Sequence, residues 1–402
     1  MPTFSFLYSI PYIILFLLLF VNVIPICKTN TTSSFNYNYS ILLQQLFVAV
    51  LLIIFFGFRG FLYTDWQSYY RLYVSSPTIF DDRNSISIFF ERRMENGFLF
   101  YTILSKTISS NYFFYQFISF VIDFFILFYF FKRIIQKHIV FGFLFFFLFS
   151  GIGMSFNLFR NSKAIMLFLI SLKYLEERKI VKYVALNLIG TLFHISSLLY
   201  LPLYLFLHRK IPRAIILSLF FTGNLLFLFQ IEWVKPLLIS ISSLILGRLG
   251  ILLSVYLSSG FYSSAYGITI GYIERFFTFI IICYFSKNLC KINKANLIYI
   301  NVFYIYSFIF LYFSEIMIIL ERVAILFIFP YWILYPQIYS TLKNKKKQIF
   351  LMILLFYGVL KLGVGNRNVF SLYDNILLQH RTYHERILII DQHEKYIFNQ
   401  KM

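Results

Sequence analysis

The chain has 402 residues, of which 60% are hydrophobic, 22% aromatic and only 13% charged, with a mean hydropathy of +0.76. Soluble domains carry about 25% charged residues, so a soluble fold is excluded. The net charge of +20 does not point to nucleic acid, because the basic residues form short clusters between apolar runs and never a basic domain.

A membrane span needs roughly 20 apolar residues. Apolar runs place spans at 4–26, 41–58, 112–131, 139–156, 161–175, 214–231, 271–286, 297–314, 323–341 and 348–364. The first lacks a basic start and a small-residue cleavage site, and is read as a retained span rather than a signal peptide. Within the connector 59–111, the stretch 97–111 is apolar but interrupted by Ser105, Lys106 and Thr107, as expected of an interfacial or re-entrant helix. Segment 183–207 carries Gly190, Thr191, His194, Ser196 and Ser197 at its middle and Pro202 beyond, which predicts a span that breaks and folds back. Such polar breaks are tolerated inside a membrane where protein or a cavity surrounds them. Segment 237–256 resembles 97–111, with Arg248 standing in an apolar run.

The expected fold class is therefore an all-α polytopic membrane protein of about 10–12 transmembrane helices, including re-entrant or half helices. Residues 1–364 are read as one membrane domain with outer-face loops at about 59–111 and 232–270, and 365–402 as a polar tail. The tail histidines His380, His384 and His393 are expected to face solvent. Cys27, Cys283 and Cys290 have neither disulfide nor zinc-ligand spacing.

Lysine-rich connectors mark the cytoplasmic side. They are Lys132, Arg133 and Lys137; Arg178, Lys179 and Lys182; Lys287, Lys291 and Lys294; and Lys343 with Lys345 to Lys347. Connector 208–213 joins them if 183–207 folds back. Twelve of the sixteen arginines then fall on the opposite, outer face, whereas most lysines lie inside. Lysine acts as a hydrated point charge, while arginine offers a planar fork that grips phosphate oxygens. Pairing with outer carboxylates, or snorkelling to headgroups, is the plainer alternative.

Several outer-face constellations bear chemistry. Arg59 precedes Thr64, Asp65 and Trp66, and Asp65 shares a helix face with Tyr69 four residues on; an aromatic belt at a membrane boundary is the structural alternative. Glu95, Asn96, Gly97 and Phe98 open the re-entrant stretch, where Glu95 is either a helix-end charge or a substrate carboxylate. Arg160 and Lys163 share one face at the start of a span, and two cations at a helix N-terminus suit an anion better than they suit the helix. His194, with Ser196 beside it, sits within the membrane at the expected break. It is a candidate proton acceptor, or else a hydrogen-bonding tie between helices. Glu321 and Arg322 add another outer-boundary cation, and Asp123 is an isolated mid-span charge without an assigned role. No Asp-X-Asp motif, P-loop or Gly-rich dinucleotide turn is present, so metal-dependent nucleotide-sugar chemistry is not expected and no metal or cofactor is assigned.

This ordered set resembles the EpsG-like branch of the Wzy O-antigen and capsule polymerases. It comprises Arg59, Thr64-Asp65 with Tyr69, Glu95 with Gly97-Phe98, Arg160 with Ala164, Phe193-His194 with Ser196, and Arg322. Tyr373 to Leu377 is a weaker echo. Two positions depart from the pattern: Tyr63 stands where Gly often precedes Thr-Asp, and Asn161 where Gln usually follows the arginine. The resemblance implies a GT-C-like glycosyltransferase of the bacterial inner membrane with its active site facing the periplasm. It would move a growing glycan from undecaprenyl pyrophosphate onto a lipid-linked repeat unit, destined for lipopolysaccharide, capsule or exopolysaccharide, alongside membrane lipid and a chain-length regulator. In that scheme Arg59 and Arg160, with Arg248 and Arg322 as further candidates, hold the pyrophosphate. His194 is the base, with Asp65 and Glu95 as rivals, and Tyr69, Lys163 and Ser196 position substrate. A lipid-linked oligosaccharide flippase and an O-antigen ligase-like transferase are the competing functions.

Overall fold

A computed structural model describes residues 2–28, 34–244, 267–378 and 380–401, which are helical with no strand among them. The chain forms two compact units, Met1–Leu201 with Tyr339–Met402, and Pro202–Ile338. The 365–402 segment thus belongs to the first unit rather than standing apart as a tail.

The helices run, in order, α1 Ile10–Lys28, α2 Ser34–Leu52, α3 Trp66–Val74, α4 Arg83–Phe90, α5 Asn96–Ile108, α6 Tyr112–Ile134, α7 Ile139–Phe146, α8 Ile152–Phe156, α9 Phe159–Glu176 and α10 Ile180–Thr191. They continue as α11 Arg213–Leu228, α12 Val234–Leu244, α13 Ile270–Ile292, α14 Asn296–Tyr312, α15 Met317–Arg322, α16 Pro330–Thr341, α17 Asn344–Gly365 and α18 Tyr383–Lys401. Among the described residues, five segments are long and apolar enough to cross a membrane: Phe6–Ile24, Tyr39–Gly57, Tyr112–Ile134, Gln136–Phe156 and Asn344–Gly365. The chain is a multi-pass membrane protein. The expected span 323–341 is broken, since α15 gives way to a 3-10 turn, Ala324–Phe327, before α16 begins at Pro330. Proline lacks the N–H an interior position needs but suits a first turn.

In the first unit α6 and α9 lie side by side. Lys163 Nζ meets Asp123 Oδ1 at 2.7 Å and Arg133 Nη1 meets Glu176 Oε2 at 2.6 Å. Both helices therefore run in the same direction, and the connectors after Lys132-Arg133 and Glu176-Glu177 leave from the same end. Beyond α10 the chain reverses. Tyr183 donates to the Tyr200 carbonyl at 2.5 Å and Ser197 Oγ to that of Asn187 at 2.9 Å. A continuous helix would separate residues 183 and 200 by about 25 Å. The polar clutter is thus the tip of a hairpin, with the 3-10 segment Ile195–Leu205 as its returning arm.

The long connector folds into α3, α4 and α5 around an aromatic core that includes Phe61, Trp66, Tyr69, Tyr73, Phe98, Tyr112, Tyr115 and Phe159, with Ile390 of α18 buried in the same cluster. Arg386 pins α18 in place. It is fully buried, and its guanidinium donates to the Phe370 carbonyl at 2.8 Å and to that of Leu372 at 3.3 Å. Burial lowers its pKa to about 10, so it stays cationic at neutral pH. His380 and His384 are exposed as expected, but His393 is buried, with its ring 4.6 Å from that of Phe370. The reason is that α18 packs as a helix instead of trailing into solvent.

In the second unit, buried Glu315 takes the backbone N–H groups of Trp233, Val234 and Lys235 at 3.1, 2.6 and 3.0 Å. It satisfies the otherwise orphaned donors at the start of α12.

Candidate active site

Arg59 follows the π turn Ile53–Gly57 at the end of α2. Its backbone is fixed by chain from the far end of the sequence. Gly60 N donates to Asp374 O at 2.9 Å, Ile376 N to Phe58 O at 2.9 Å, and Arg59 bridges Asn375. Tyr373 and Asn375 side chains reinforce this by bonding the Phe55 and Ile54 carbonyls, each at 2.9 Å. Glycine at position 60 leaves room for the Asp374 side chain, since a Cβ there would lie 2.6 Å from Asp374 Oδ2 and force it to shift. The Arg59 side chain turns inward and is 3% exposed. Nη1 donates to Phe56 O at 2.5 Å, and the guanidinium lies 5.3 and 5.8 Å from the Phe156 and Phe159 ring centres. Among the described residues no carboxylate comes within ion-pair distance of it.

Tyr63 adopts a left-handed backbone, φ 63°, a conformation that disfavours side chains by about 1–2 kcal/mol. This explains why glycine suits the position, and here the Tyr63 hydroxyl offsets the strain by donating to Asn366 Oδ1 at 2.9 Å. Asn157 Oδ1 then accepts both the Thr64 and Asp65 N–H groups at 3.3 Å, setting Asp65 at the start of α3. Tyr69, one turn on, packs against Phe98 and Phe159. Burial raises its phenol pKa, while the adjacent Arg160 charge opposes the rise.

Glu95 occupies the N-cap position of α5 but makes no capping bond. Its carboxylate reaches outward instead: Oε2 lies 2.5 Å from Arg160 Nη1 and Oε1 accepts Ile195 N at 3.3 Å. The start of α5 is docked on the hairpin tip, where Phe98 N donates to Leu192 O at 3.0 Å and a Cβ on Gly97 would meet Leu192 Cβ at 2.6 Å. Glu95 therefore joins three elements that the sequence keeps apart: α5, the first turn of α9, and the loop carrying His194. His194 Nδ1 accepts from Ser196 N at 3.2 Å and lies 2.7 Å from Ser196 Oγ. A backbone N–H can only donate, so a neutral ring in this setting carries its proton on Nε2. The Nδ1 acceptor is thus engaged with Ser196.

The EpsG family model matches residues 42–366. The chain belongs to the EpsG family. Membership makes it, in general terms, a multi-pass membrane polymerase of the polysaccharide glycosyltransferase kind. No curated protein and no solved structure matches the chain significantly. The EpsG match spans every candidate from Arg59 to Arg322 but ends before Tyr373.

The structure gathers Arg160, Glu95, Tyr69, His194 and Ser196, with Asp65 on the same short helix as Tyr69 and Arg59 reaching the same Phe159 ring. Lys163 is placed differently from the expected shared anion face. Its ammonium points into the helix packing, held by Asp123 Oδ1 at 2.7 Å and the Ser119 carbonyl at 2.8 Å. Asp123, without a role in the sequence reading, is thereby explained. Arg322 is exposed at the end of α15 in the second unit, and Arg248 lies outside the described residues. Sequence reasoning passed over Asn157, Phe159 and Asp374 as site residues. The only available signals were the Asn157 start of the Arg160 motif and the faint Tyr373–Leu377 echo.

Proposed function

We propose that this EpsG-family protein polymerises a polysaccharide by transferring a growing glycan from undecaprenyl pyrophosphate onto the terminal hydroxyl of a lipid-linked repeat unit. The observation that carries this reading is the half-open Arg160–Glu95 pair at the hairpin tip, with side-chain exposures of 26% and 18%. Arg160 holds the leaving pyrophosphate, and the buried Arg59 cation adds to the positive field that stabilises its charge as it departs. Asp65, Tyr69 and Ser196 orient the sugars beside His194. Fixing two lipid-tethered reactants in register supplies a further large part of the barrier reduction. The lysine-rich connectors leave α6 and α9 at the end opposite Arg160, and lysine-rich ends face the cytoplasm. The site accordingly opens to the periplasm of an inner-membrane protein.

The test is electrophoresis of surface polysaccharide from a deletion strain complemented with wild type or Arg160→Lys at matched protein level. Lysine keeps the charge and loses the fork. The expected result is a ladder with wild type and a single rung with the variant. A wild-type ladder from Arg160→Lys refutes the phosphate role, and loss of all surface glycan in the deletion strain indicates lipid flipping instead.

A further inference from the structure

Resting on that reading, we propose that Glu95 is both a placeholder for the donor phosphate and the base for the acceptor hydroxyl, unmasked only when the donor occupies Arg160. Arg160 Nε is buried and has no hydrogen-bond partner, so the side of the fork that includes Nε is closed to a ligand. The edge left for a ligand is Nη1 with Nη2, where Glu95 Oε2 already sits on Nη1 at 2.5 Å and the Tyr69 side chain also bonds the guanidinium. Bidentate phosphate recognition uses two parallel N–H bonds. A phosphate gripping the open edge must therefore take Nη1 from Glu95. A carboxylate and a phosphate oxygen satisfy the same donor, and the more highly charged pyrophosphate is the stronger competitor.

Displaced Glu95 has little freedom to leave. Oε1 keeps the Ile195 N–H, and the start of α5 is held on the hairpin tip by the Phe98–Leu192 bond and the close approach at Gly97. The released Oε2 becomes an open anionic oxygen beside the His194–Ser196 loop. His194 cannot take the base role in this arrangement, because its Nδ1 already accepts from Ser196. The step then balances without a further reactant. The acceptor hydroxyl gives its proton to the Glu95 carboxylate, and its oxygen bonds the donor's anomeric carbon. The bond from that carbon to the pyrophosphate oxygen breaks, and the electron pair leaves with the pyrophosphate on Arg160.

The test uses the full chain in detergent micelles, titrated with inorganic pyrophosphate and with farnesyl pyrophosphate, alongside the polymer ladder in the complemented strain. Glu95→Gln is expected to bind both probes about tenfold tighter, because a charged competitor for the guanidinium has gone, while polymer yield falls by about a hundredfold. Glu95→Asp, with a shorter reach but the same acid, is expected to bind tighter than wild type and keep a partial ladder. It serves as the second reading if Glu95→Gln does not accumulate. Unchanged or weaker binding by both variants overturns the placeholder role, and a wild-type ladder from Glu95→Gln overturns the base role. If Arg160→Lys loses probe binding while neither Glu95 variant tightens it, only the placeholder idea falls. If wild type binds neither probe, the phosphate reading falls with it.

Discussion

Arg160 and Lys163 leave the first turns of α9 three residues apart, and each meets a carboxylate from another helix. The Lys163–Asp123 pair is closed, with side-chain exposures of 6% and 11%, and the Ser119 carbonyl takes a second ammonium hydrogen. The Arg160–Glu95 pair is open at 26% and 18%, and leaves one buried nitrogen of the fork without an acceptor. A charge pair sealed among apolar helices must be internally satisfied, since nothing else can solvate it. One that is reachable and incompletely satisfied can exchange its partner for a ligand. The contrast separates a cation that holds the bundle together from one available for chemistry, although both carry the same charge at the same helix end.

The largest effect expected from breaking this contrast is on the closed side. Asp123→Asn strands the Lys163 charge, and should destabilise the folded protein by about 3–5 kcal/mol, read as a lower thermal midpoint in detergent. Replacing both partners with apolar residues, Asp123→Leu with Lys163→Met, should recover most of that loss. On the open side, Arg160→Lys should reduce polymer yield about a hundredfold with an almost unchanged thermal midpoint. The opposite assignment, in which stability tracks Arg160 and polymer tracks Lys163, would reverse the comparison. Gly60→Ala sharpens it for the second guanidinium. The added methyl must displace the Asp374 carboxylate, at about 1–3 kcal/mol, and should shift both stability and polymer length because the Arg59 loop moves with it. The smallest effect is Tyr63→Gly. Relief of the left-handed strain offsets part of the lost bond to Asn366 and of the lost ring contact with Phe156, so the midpoint should fall by the equivalent of about 1 kcal/mol.

Much of this architecture could be read from the chain alone. Apolar runs located the five long apolar segments found among the described residues, and the cluster from Gly190 to Ser197 located the hairpin tip, because polar backbone breaks are tolerated in a membrane only at such places. The spacing of Arg160 and Lys163 predicted one shared face. It could not show that their side chains diverge, since periodicity defines faces and says nothing of which neighbour lies opposite. Asp123 is 40 residues from Lys163, and no local pattern links them. The break at Pro330 hid within an unbroken hydrophobic run, where composition argues for one span and only the missing N–H argues against it. His393 was misplaced because a polar composition was read as solvent exposure, whereas Arg386 buries the same helix by bonding carbonyls.

The bracing of Arg59 by residues 373–376 also has a temporal side. Tyr373 and the Phe55 carbonyl it binds are 318 residues apart. A ribosome therefore delivers the Arg59 segment to the translocon long before its brace has been made. Until that late stretch emerges and docks, nascent molecules carry an unformed Arg59 loop, and glycan assembly is deferred until insertion is well advanced.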